Sequence, residues 1–367
     1  MKTNSALHVQ EGIPQPEPVS PYLQFKRKKK LSAAGYVAGI LAGNRVVLSQ
    51  AITLIESTAH QDLEVANQII EQCLPYSGNS MRIGITGVPG VGKSTFIEAF
   101  GKYLTSIGKK LAVLAVDPSS ERSKGSILGD KTRMEELSID PSAFIRPSPS
   151  GLTLGGVARK TRETIILCEA AGFDAIIIET VGVGQSETVV KSMVDFFLLL
   201  MLSGAGDELQ GIKRGIMEMA DALIITKADG DNVAKATAAK VLYKSALQLF
   251  PKNENGWETP VGTCSVFLKD SIEKIWEIIS DFEKQTKEND FFFKHRAEQS
   301  VKTFYDWMNH LLKDNFYSNT MIENDLNSLV PEIRAGKISP YQAGTNLVQN
   351  FKSLNSTPLI PRQRGRP

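Results

Sequence analysis

A glycine-rich loop at residues 87–94 constrains the fold of this chain more than any other feature. It reads Gly-Val-Pro-Gly-Val-Gly-Lys-Ser, directly after the apolar run 82–86 and directly before the helical pattern 95–100. A strand that leads into such a turn and then into a helix directs successive backbone N–H groups into one small concavity, together with the positive end of the helix dipole. The sequence therefore predicts a loop that binds the phosphates of a nucleoside triphosphate.

Each position of this loop is a candidate contact for the nucleotide. Lys93 is expected to reach the β- and γ-phosphates, and the hydroxyl of Ser94 is expected to hold Mg²⁺. An eight-residue pattern can arise by chance in a long chain, but the preceding strand, the following helix and further motifs downstream argue against chance. The candidate phosphate-binding residues are Gly87, Val88, Pro89, Gly90, Val91, Gly92, Lys93, Ser94 and Thr95.

Strand-like and helical patterns alternate after the loop. Several of the β-rich runs are apolar on consecutive residues, as expected for strands that helices cover on both faces of a mainly parallel sheet. The sequence therefore predicts an α/β fold, a P-loop NTPase with a mainly parallel sheet flanked by helices, in a domain at 81–285. The further predicted strands are 111–116, 143–145, 175–178, 196–202, 222–225 and 261–264.

Helical extensions are predicted on both sides of this domain. Residues 31–80 carry helical periodicity and form the N-terminal helical segment. Residues 286–355 carry an apolar stripe near Phe304 and Trp307, which fits either packing within the chain or a dimerisation arm. Disordered tails are expected at 1–30, where five successive basic residues follow a proline-rich start, and at 356–367. A solvated tail is favoured there over a contact with nucleic acid or lipid.

Cysteine usage and hydropathy indicate the environment of the protein. Cys73, Cys168 and Cys264 are odd in number, far apart and set among apolar residues, which favours reduced core cysteines in a cytoplasmic protein. The longest apolar run, 196–202, is too short to cross a membrane, and no N-terminal segment resembles a secretory signal. The four histidines show no metal-ligand spacing, so no structural zinc is expected. Neither a nucleic-acid nor a membrane partner is expected.

Residues 226–229, Thr-Lys-Ala-Asp, follow the predicted strand 222–225 as a guanine-reading element would. The carboxylate of Asp229 can accept hydrogen bonds from the N1–H and the 2-amino group of guanine, and adenine lacks this pair of donors. Lys227 would lay its stem along the base. The usual first residue is Asn; Thr226 keeps one hydrogen-bonding oxygen and loses the amide donors. A helix entry with an acidic cap is the alternative interpretation.

Three carboxylates are candidates for the metal and the attacking water. Glu179 follows the predicted strand 175–178, where a carboxylate points into the nucleotide cleft, and Gly182 can present its N–H to the γ-phosphate. Asp117 and Asp130 lie in polar segments between the second and third strands and could approach the Mg²⁺ or position the water. Either aspartate alone is more often a turn or cap residue.

Together these motifs resemble those of the methylmalonyl-CoA mutase-associated GTPases, the MeaB/ArgK/MMAA group of P-loop GTPases. The resemblance runs from about Tyr36 to the C-terminal helices. It implies a homodimeric protein that hydrolyses GTP to GDP and phosphate and assists an adenosylcobalamin-dependent acyl-CoA mutase, by gating cofactor loading and by protecting or reactivating the enzyme. The stretches that carry it are the glycine-rich loop, 117–120, 125–134, 179–187 and 206–213.

The resemblance also implies roles for individual residues. Segments 118–134 and 181–188 would be two switches and 204–215 a third, with Lys213 carrying a signal to the mutase. Ser265 and Val266 stand where Ser-Ala usually supports the guanine. The residues that would form the phosphate, metal and water shell are Lys93, Ser94, Asp117, Asp130 and Glu179.

Other functions share a similar nucleotide core. A GTPase that delivers metal to nickel enzymes should carry a histidine-rich tract or a Cys/His pair near its switches, and the sequence has neither. A transport-linked kinase would need an acceptor site for a protein hydroxyl and a catalytic base, and neither can be recognised. A nucleotide-dependent scaffold would hydrolyse GTP negligibly.

Overall fold

A parallel β-sheet forms the centre of the computed structural model, which describes residues 30–57, 59–116, 134–147, 154–180, 186–204, 214–251 and 253–355. The described strands are β1 (Met81–Gly87), β2 (Leu111–Val116), β3 (Ala143–Arg146), β4 (Ala175–Thr180), β5 (Phe196–Met201), β6 (Ala222–Ile225) and β7 (Val261–Thr263). These seven strands lie in the order β3-β2-β4-β1-β5-β6-β7, and every neighbouring pair is parallel. This topology confirms the predicted α/β fold.

Three strands, β2, β5 and β6, form where the sequence is continuously apolar. β2, β4, β5 and β6 are buried at every position, as a strand covered on both faces must be. One predicted boundary differs in a way that affects the site, because β4 continues through Glu179 to Thr180 rather than ending before the carboxylate. The hydroxyl of Thr180 donates to the hydroxyl of Thr86 on β1 at 2.9 Å, and this buried pair satisfies the polar end of the strand.

Helices pack on both faces of the sheet. The described helices are α1 (Ala33–Leu41), α2 (Arg45–Glu56), α3 (His60–Cys73), α4 (Lys93–Ser106), α5 (Glu135–Ile139), α6 (Leu154–Ala170), α7 (Ser186–Lys191), α8 (Arg214–Met219), α9 (Val233–Leu247), α10 (Lys269–Glu288), α11 (Phe291–Tyr317), α12 (Thr320–Arg334) and α13 (Pro340–Asn355). One hydrophobic core joins the first three helices and α6 to one face of the sheet, and a second core joins α4 and α10 to the other face.

The N-terminal helices begin at residues suited to capping. Ser32 accepts a hydrogen bond from the N–H of Gly35, and the side chain of Asn44 accepts from the main chain at the start of α2. These caps satisfy N–H groups that have no partner within the helix. α1, α2 and α3 contact one another and α6, so they share the core of the sheet.

Arg296 anchors the long helix α11 to the edge of the sheet where the strands begin. Its guanidinium donates to both carboxylate oxygens of Asp195, at 2.7 and 2.6 Å, and to the main-chain carbonyls of Gly78 and Ser80, at 2.6 Å each. Asp195 directly precedes β5, and its side chain is only 2% exposed. The ion pair therefore fixes the start of α11 against the sheet, on the side opposite the carboxyl ends of the strands.

A second buried carboxylate, Glu169 of α6, lies beside this ion pair. It accepts from Ser80 at 2.7 Å and from two nitrogens of Arg82 at 2.9 Å each. Burial alone would raise the pKa of Glu169, but the hydrogen bonds and charges of Arg82, Ser80 and Arg296 together lower it below its usual value.

Beyond Arg296, α11 presents apolar side chains that the rest of the described chain leaves exposed. Phe304 is 60% exposed and Leu312 is 61% exposed. Trp307 differs, because the guanidinium of Arg159 on α6 lies 3.6 Å from its ring centre. The stripe is expected either to pack within the chain or to form a dimerisation arm. Packing within the chain accounts for Trp307, but it leaves side chains such as Phe304 and Leu312 uncovered.

Two further sequence expectations concern the thiols and the membrane. All three cysteines are buried and free, and burial raises the pKa of Cys73 and of Cys264 to about 11. Among the helices of the described segments, none is both long enough and apolar enough to cross a membrane.

Candidate nucleotide-binding site

The glycine-rich loop joins the end of β1 to the start of α4, and its glycines are required by geometry. Gly90 and Gly92 have φ of +77° and +86°, a region that side chains with a Cβ rarely adopt. Gly87 has a different reason. A Cβ at this position would lie 2.5 Å from the carbonyl oxygen of Leu200, because β5 pairs against β1 there. The loop consequently has the tight main-chain course of a phosphate-binding turn.

Lys93, the first residue of α4, lies over this loop. Its Nζ donates to the carbonyl oxygen of Gly87 at 2.9 Å. Burial lowers the pKa of the Lys93 ammonium, and the charges of Glu179 and Glu187 act against that effect. The lysine is thus a partly buried cation that a main-chain carbonyl of the loop holds and on which the charges of two carboxylates act.

Ser94 and Glu179 form the polar pair beside Lys93. The Oγ of Ser94 lies 3.4 Å from Oε1 of Glu179, and Glu179 is 5% exposed within β4. A hydroxyl and a carboxylate are hard oxygen ligands, and Mg²⁺ is commonly bound by one or two such groups together with substrate phosphates. Within the described segments no group of three or more His, Cys, Asp or Glu side chains is placed to hold a metal alone. The pair fits a Mg²⁺ that is shared with a polyphosphate.

Thr226 connects the predicted base-reading segment to the phosphate loop. Its hydroxyl donates to the carbonyl oxygen of Val91 at 2.9 Å, and its N–H donates to the carbonyl of Met201 at 2.8 Å. Thr226 is buried, so both hydrogen bonds are shielded from water. The end of β6 and the glycine-rich loop are therefore held as one unit.

Lys227 reaches the same loop from the other side. Its Nζ donates to the carbonyl oxygen of Gly90 at 2.9 Å, and its stem passes 4.0 Å from the place where a Cβ on Gly92 would lie. Its main chain has a φ of +56°, which is uncommon for a residue other than glycine. Lys227 is exposed, so the face of its stem is open to a ligand.

Asp229 is held by Ser265 from the loop after β7. The hydroxyl of Ser265 donates to Oδ2 of Asp229 at 2.7 Å, and the N–H of Ser265 donates to the hydroxyl of Ser271 at 3.0 Å. The carboxylate does not cap the 3₁₀ turn Gly230–Asn232 that follows it. The side chain of Asp229 therefore does not act as the acidic cap of a helix entry, which is the alternative interpretation. Val266 is half-buried and packs on the core beneath this loop.

The structure brings most of the predicted site residues to one edge of the sheet. The loop residues 87–95 and the pair formed by Ser94 and Glu179 lie next to Thr226 and Lys227, and Asp229 lies two residues further along the chain. Predicted residues outside the described segments are Asp117, Asp130, Gly182 and Lys213.

Three contributors to the site have no role predicted from the sequence. Glu187 is 2% exposed at the start of α7 and its charge acts on Lys93. Asn232 bonds to the carbonyl of Lys227 at 2.6 Å, and Ser271 supports Ser265. Glu187 lies in the stretch 179–187 that carries the family resemblance, but it is 94 positions from Lys93, and no spacing rule links the two residues.

Comparisons with known proteins agree with this geometry. A family model described as methylmalonyl Co-A mutase-associated GTPase MeaB matches residues 48–321. The GTPase ArgK of Escherichia coli is 45% identical over 308 residues, which cover 82% of this chain and 93% of that protein. The mitochondrial methylmalonic aciduria type A homolog of Mus musculus is 43% identical over 330 residues, 86% of this chain and 78% of that protein.

A solved structure supports the same assignment. The crystal structure of a protein named LAO/AO transport system kinase gives a TM-score of 0.70 at 36% identity, and the match covers 87% of this chain and 97% of that one. The similarity therefore extends over most of the chain, and the family match over residues 48–321 includes the candidate nucleotide site. Because the family model spans most of the chain, and relatives well above 30% identity share more than four-fifths of it, the chain belongs to the methylmalonyl-CoA mutase-associated GTPase family and is a GTP hydrolase.

Proposed function

We propose that this GTPase is a chaperone of an adenosylcobalamin-dependent acyl-CoA mutase of the methylmalonyl-CoA type. In this role it gates the loading of the cofactor and protects or reactivates the enzyme. The observation that carries the proposal is the family match over residues 48–321, whose description names the mutase. The mouse relative, named for methylmalonic aciduria, supports the same class of partner.

In the proposed complex, GTP lies along the edge of the sheet with its phosphates in the glycine-rich loop. The main-chain N–H groups of the loop and the ammonium of Lys93 bind the phosphate oxygens. The base lies along the stem of Lys227, with its N1–H and 2-amino group donating to Asp229. Ser265 supports this contact because it orients the carboxylate at 2.7 Å. ATP is disfavoured, since adenine would leave the carboxylate without these donors.

Ser94 and Glu179 would hold Mg²⁺, and Asp117 and Asp130 are proposed to complete the shell of metal and water. When bound, Mg²⁺ neutralises charge on the β- and γ-phosphates. The chain's own contribution to hydrolysis is positioning and electrostatic stabilisation. Lys93 and the loop amides stabilise the charge that develops as a water attacks the γ-phosphate in line. Loss of the γ-phosphate then changes the contacts of the three predicted switch segments.

We further propose that a second copy of the chain covers the exposed face of α11 and α12. Exposed apolar side chains on these two successive helices include Phe304, Leu312 and Met321, the last of which is 55% exposed. Exposed apolar surface favours an interaction site where such side chains lie together. The buried free thiols support a reducing compartment such as the cytoplasm as the location.

The proposed chaperone role can be tested by following mutase activity during prolonged turnover. The mutase is assayed alone, with this protein and GTP, and with a Lys93→Ala variant and GTP. We expect only the unaltered protein with GTP to slow the loss of activity or to restore it. An equal rate of inactivation in all three assays would contradict the proposal.

A transport-linked kinase is the second candidate, because the solved relative's name includes that activity. The two functions differ in the fate of the γ-phosphate. GTP labelled at the γ-phosphate should release free phosphate if the protein is a GTPase that acts as a chaperone. Label transferred to a periplasmic-type binding protein would instead favour the kinase.

A further inference from the structure

We propose that Asn232 is a positioning residue for the guanine nucleotide. It holds the main chain of Lys227 in the conformation that carries the lysine over the glycine-rich loop, and it ties that main chain to Ser203, two residues after β5. The proposal rests on the proposed placement of the base beside Lys227 and Asp229.

The first observation is a pair of hydrogen bonds from one amide group. Nδ2 of Asn232 donates to the carbonyl of Lys227, and Oδ1 accepts from the hydroxyl of Ser203, each at 2.6 Å. A main-chain carbonyl can only accept, so the NH₂ group must face Lys227 and the oxygen must face Ser203. The chemistry of the two partners therefore fixes the orientation of the amide.

The second observation is that Asn232 does not do what an asparagine at this position usually does. It occupies the N-cap position of α9, yet its side chain makes no capping hydrogen bond. Asparagine is among the preferred N-cap residues because its oxygen accepts from the first free N–H groups of the helix. Here both ends of the amide are directed to residues outside the helix. A purely local role at the start of α9 is thus not supported.

The third observation is the conformation that Asn232 holds. Lys227 has a φ of +56°, and such a backbone persists in a non-glycine residue only when its surroundings enforce it. The main-chain N–H of Asn232 also donates to the carbonyl of Asp229 at 3.0 Å. One residue therefore closes the loop 227–229 from its main chain and from its side chain. This loop carries both side chains proposed to contact the base.

The consequence is that base contacts depend on Asn232 although it is not assigned a contact with the nucleotide. When the hydrogen bonds of Asn232 are in place, Lys227 reaches Gly90 and its stem is preorganised along the base. Without these hydrogen bonds, Lys227 can relax toward an ordinary negative φ. The free energy needed to reorder the loop then weakens the binding of the nucleotide. The phosphate contacts of Lys93 and Ser94 do not pass through Asn232. The effect should appear in affinity rather than in the chemical step.

The test compares Asn232→Ala and Asn232→Asp with Asp231→Asn, which alters the exposed neighbour in the same turn. In Asn232→Asp a carboxylate replaces the NH₂ donor, so the bond to Lys227 is lost while Ser203 can still donate. We expect both Asn232 variants to raise the Kd for GDP and the KM for GTP about tenfold, with kcat within about twofold. Asp231→Asn should match the unaltered protein.

Thermal unfolding separates positioning from a general loss of structure. The nucleotide-free Tm should be nearly equal in the three variants and the unaltered protein, whereas the rise in Tm on adding GDP should shrink only in the Asn232 variants. Unchanged GDP affinity in Asn232→Asp would overturn the proposal. So would a fall in kcat that accounts for the whole loss of activity in both variants.

Asp229→Asn, assayed in parallel, distinguishes this proposal from the proposed base site. If GTP preference is lost in Asp229→Asn while the Asn232 variants bind normally, the base site stands and the positioning role of Asn232 fails. If Asp229→Asn keeps its preference for GTP over ATP, the placement of the base fails, and the inference fails with it.

Discussion

The hydroxyl of Thr226 donates to the carbonyl oxygen of Val91 at 2.9 Å, which joins the segment proposed to read the base to the glycine-rich loop. The two residues are 135 positions apart in the chain, and both are buried. The oxygen that threonine shares with the more usual asparagine is therefore engaged inside the protein. Because the two halves of the site are joined directly, we expect a change at this contact to alter nucleotide affinity.

Thr226→Val removes the hydroxyl and preserves the shape of the side chain. The carbonyl of Val91 is then left buried without this donor, so we expect unfolding free energy to fall by about 1–2 kcal/mol and GDP affinity by about fivefold to tenfold. Urea denaturation and GDP titration measure the two effects. Thr237→Val, at an exposed position of α9, is the matched control. Equal unfolding free energies and equal GDP affinities in the two variants would exclude a coupling between the two segments through this hydrogen bond.

Lys93→Ala removes the cation at the mouth of the glycine-rich loop. A charged donor to phosphate oxygens is lost, and we expect the Kd for GTP to rise about 100-fold or more. Isothermal titration of GTP into the variant measures this change. The control is Lys235→Ala, an exposed lysine on α9, which should bind GTP normally. An unchanged GTP affinity in Lys93→Ala would show that the phosphates of GTP do not bind in this loop.

Arg296→Ala should destabilise the fold without touching the nucleotide site. The change leaves Asp195 buried with its charge less well compensated, so we expect a loss of about 3 kcal/mol in the free energy of unfolding. Urea denaturation at neutral pH measures it. Lys294→Ala, an exposed position on the same helix, should change stability by less than about 0.5 kcal/mol. Comparable small effects in both variants would contradict the anchoring role of Arg296.

Acid should weaken the same region through Glu169. Because the pKa of this carboxyl is lowered in the folded state, its ionised form stabilises the fold fully above the ordinary glutamate pKa of about 4.3. That contribution is lost as the pH falls through this value towards the lowered pKa. We expect the stability advantage of the unaltered protein over Glu169→Gln to be large at pH 7 and to shrink below pH ~4. An advantage that stays constant down to pH ~3 would refute this role.

Much of the fold could be predicted because local sequence determines it. β2, β5 and β6 are short apolar runs, and burial on both faces requires such runs. The glycine-rich loop was recognisable since Gly87, Gly90 and Gly92 are fixed by close approach and by positive φ. The end of β4 could not be placed from hydropathy, because Glu179 and Thr180 are polar and gain partners only from neighbouring elements.

The contacts that organise the site could not be predicted because they join distant segments. Nothing in the pattern around Arg296 indicates that its partner is Asp195, 101 residues earlier. Asn232 looks like a helix cap until its amide is seen between Ser203 and Lys227. The positive φ of Lys227 is equally hidden, since a lysine gives no sign of the left-handed conformation that a glycine would indicate.

The most direct test of this account is GTP turnover by the purified protein, with ATP as the control, in the presence and absence of an adenosylcobalamin-dependent acyl-CoA mutase. We expect slow hydrolysis of GTP alone, a marked increase when the mutase is added, and no comparable turnover of ATP. The increase could reach ~10³-fold or more if the mutase completes the site. ATP turnover equal to that of GTP, or GTP turnover indifferent to the mutase, would contradict the account.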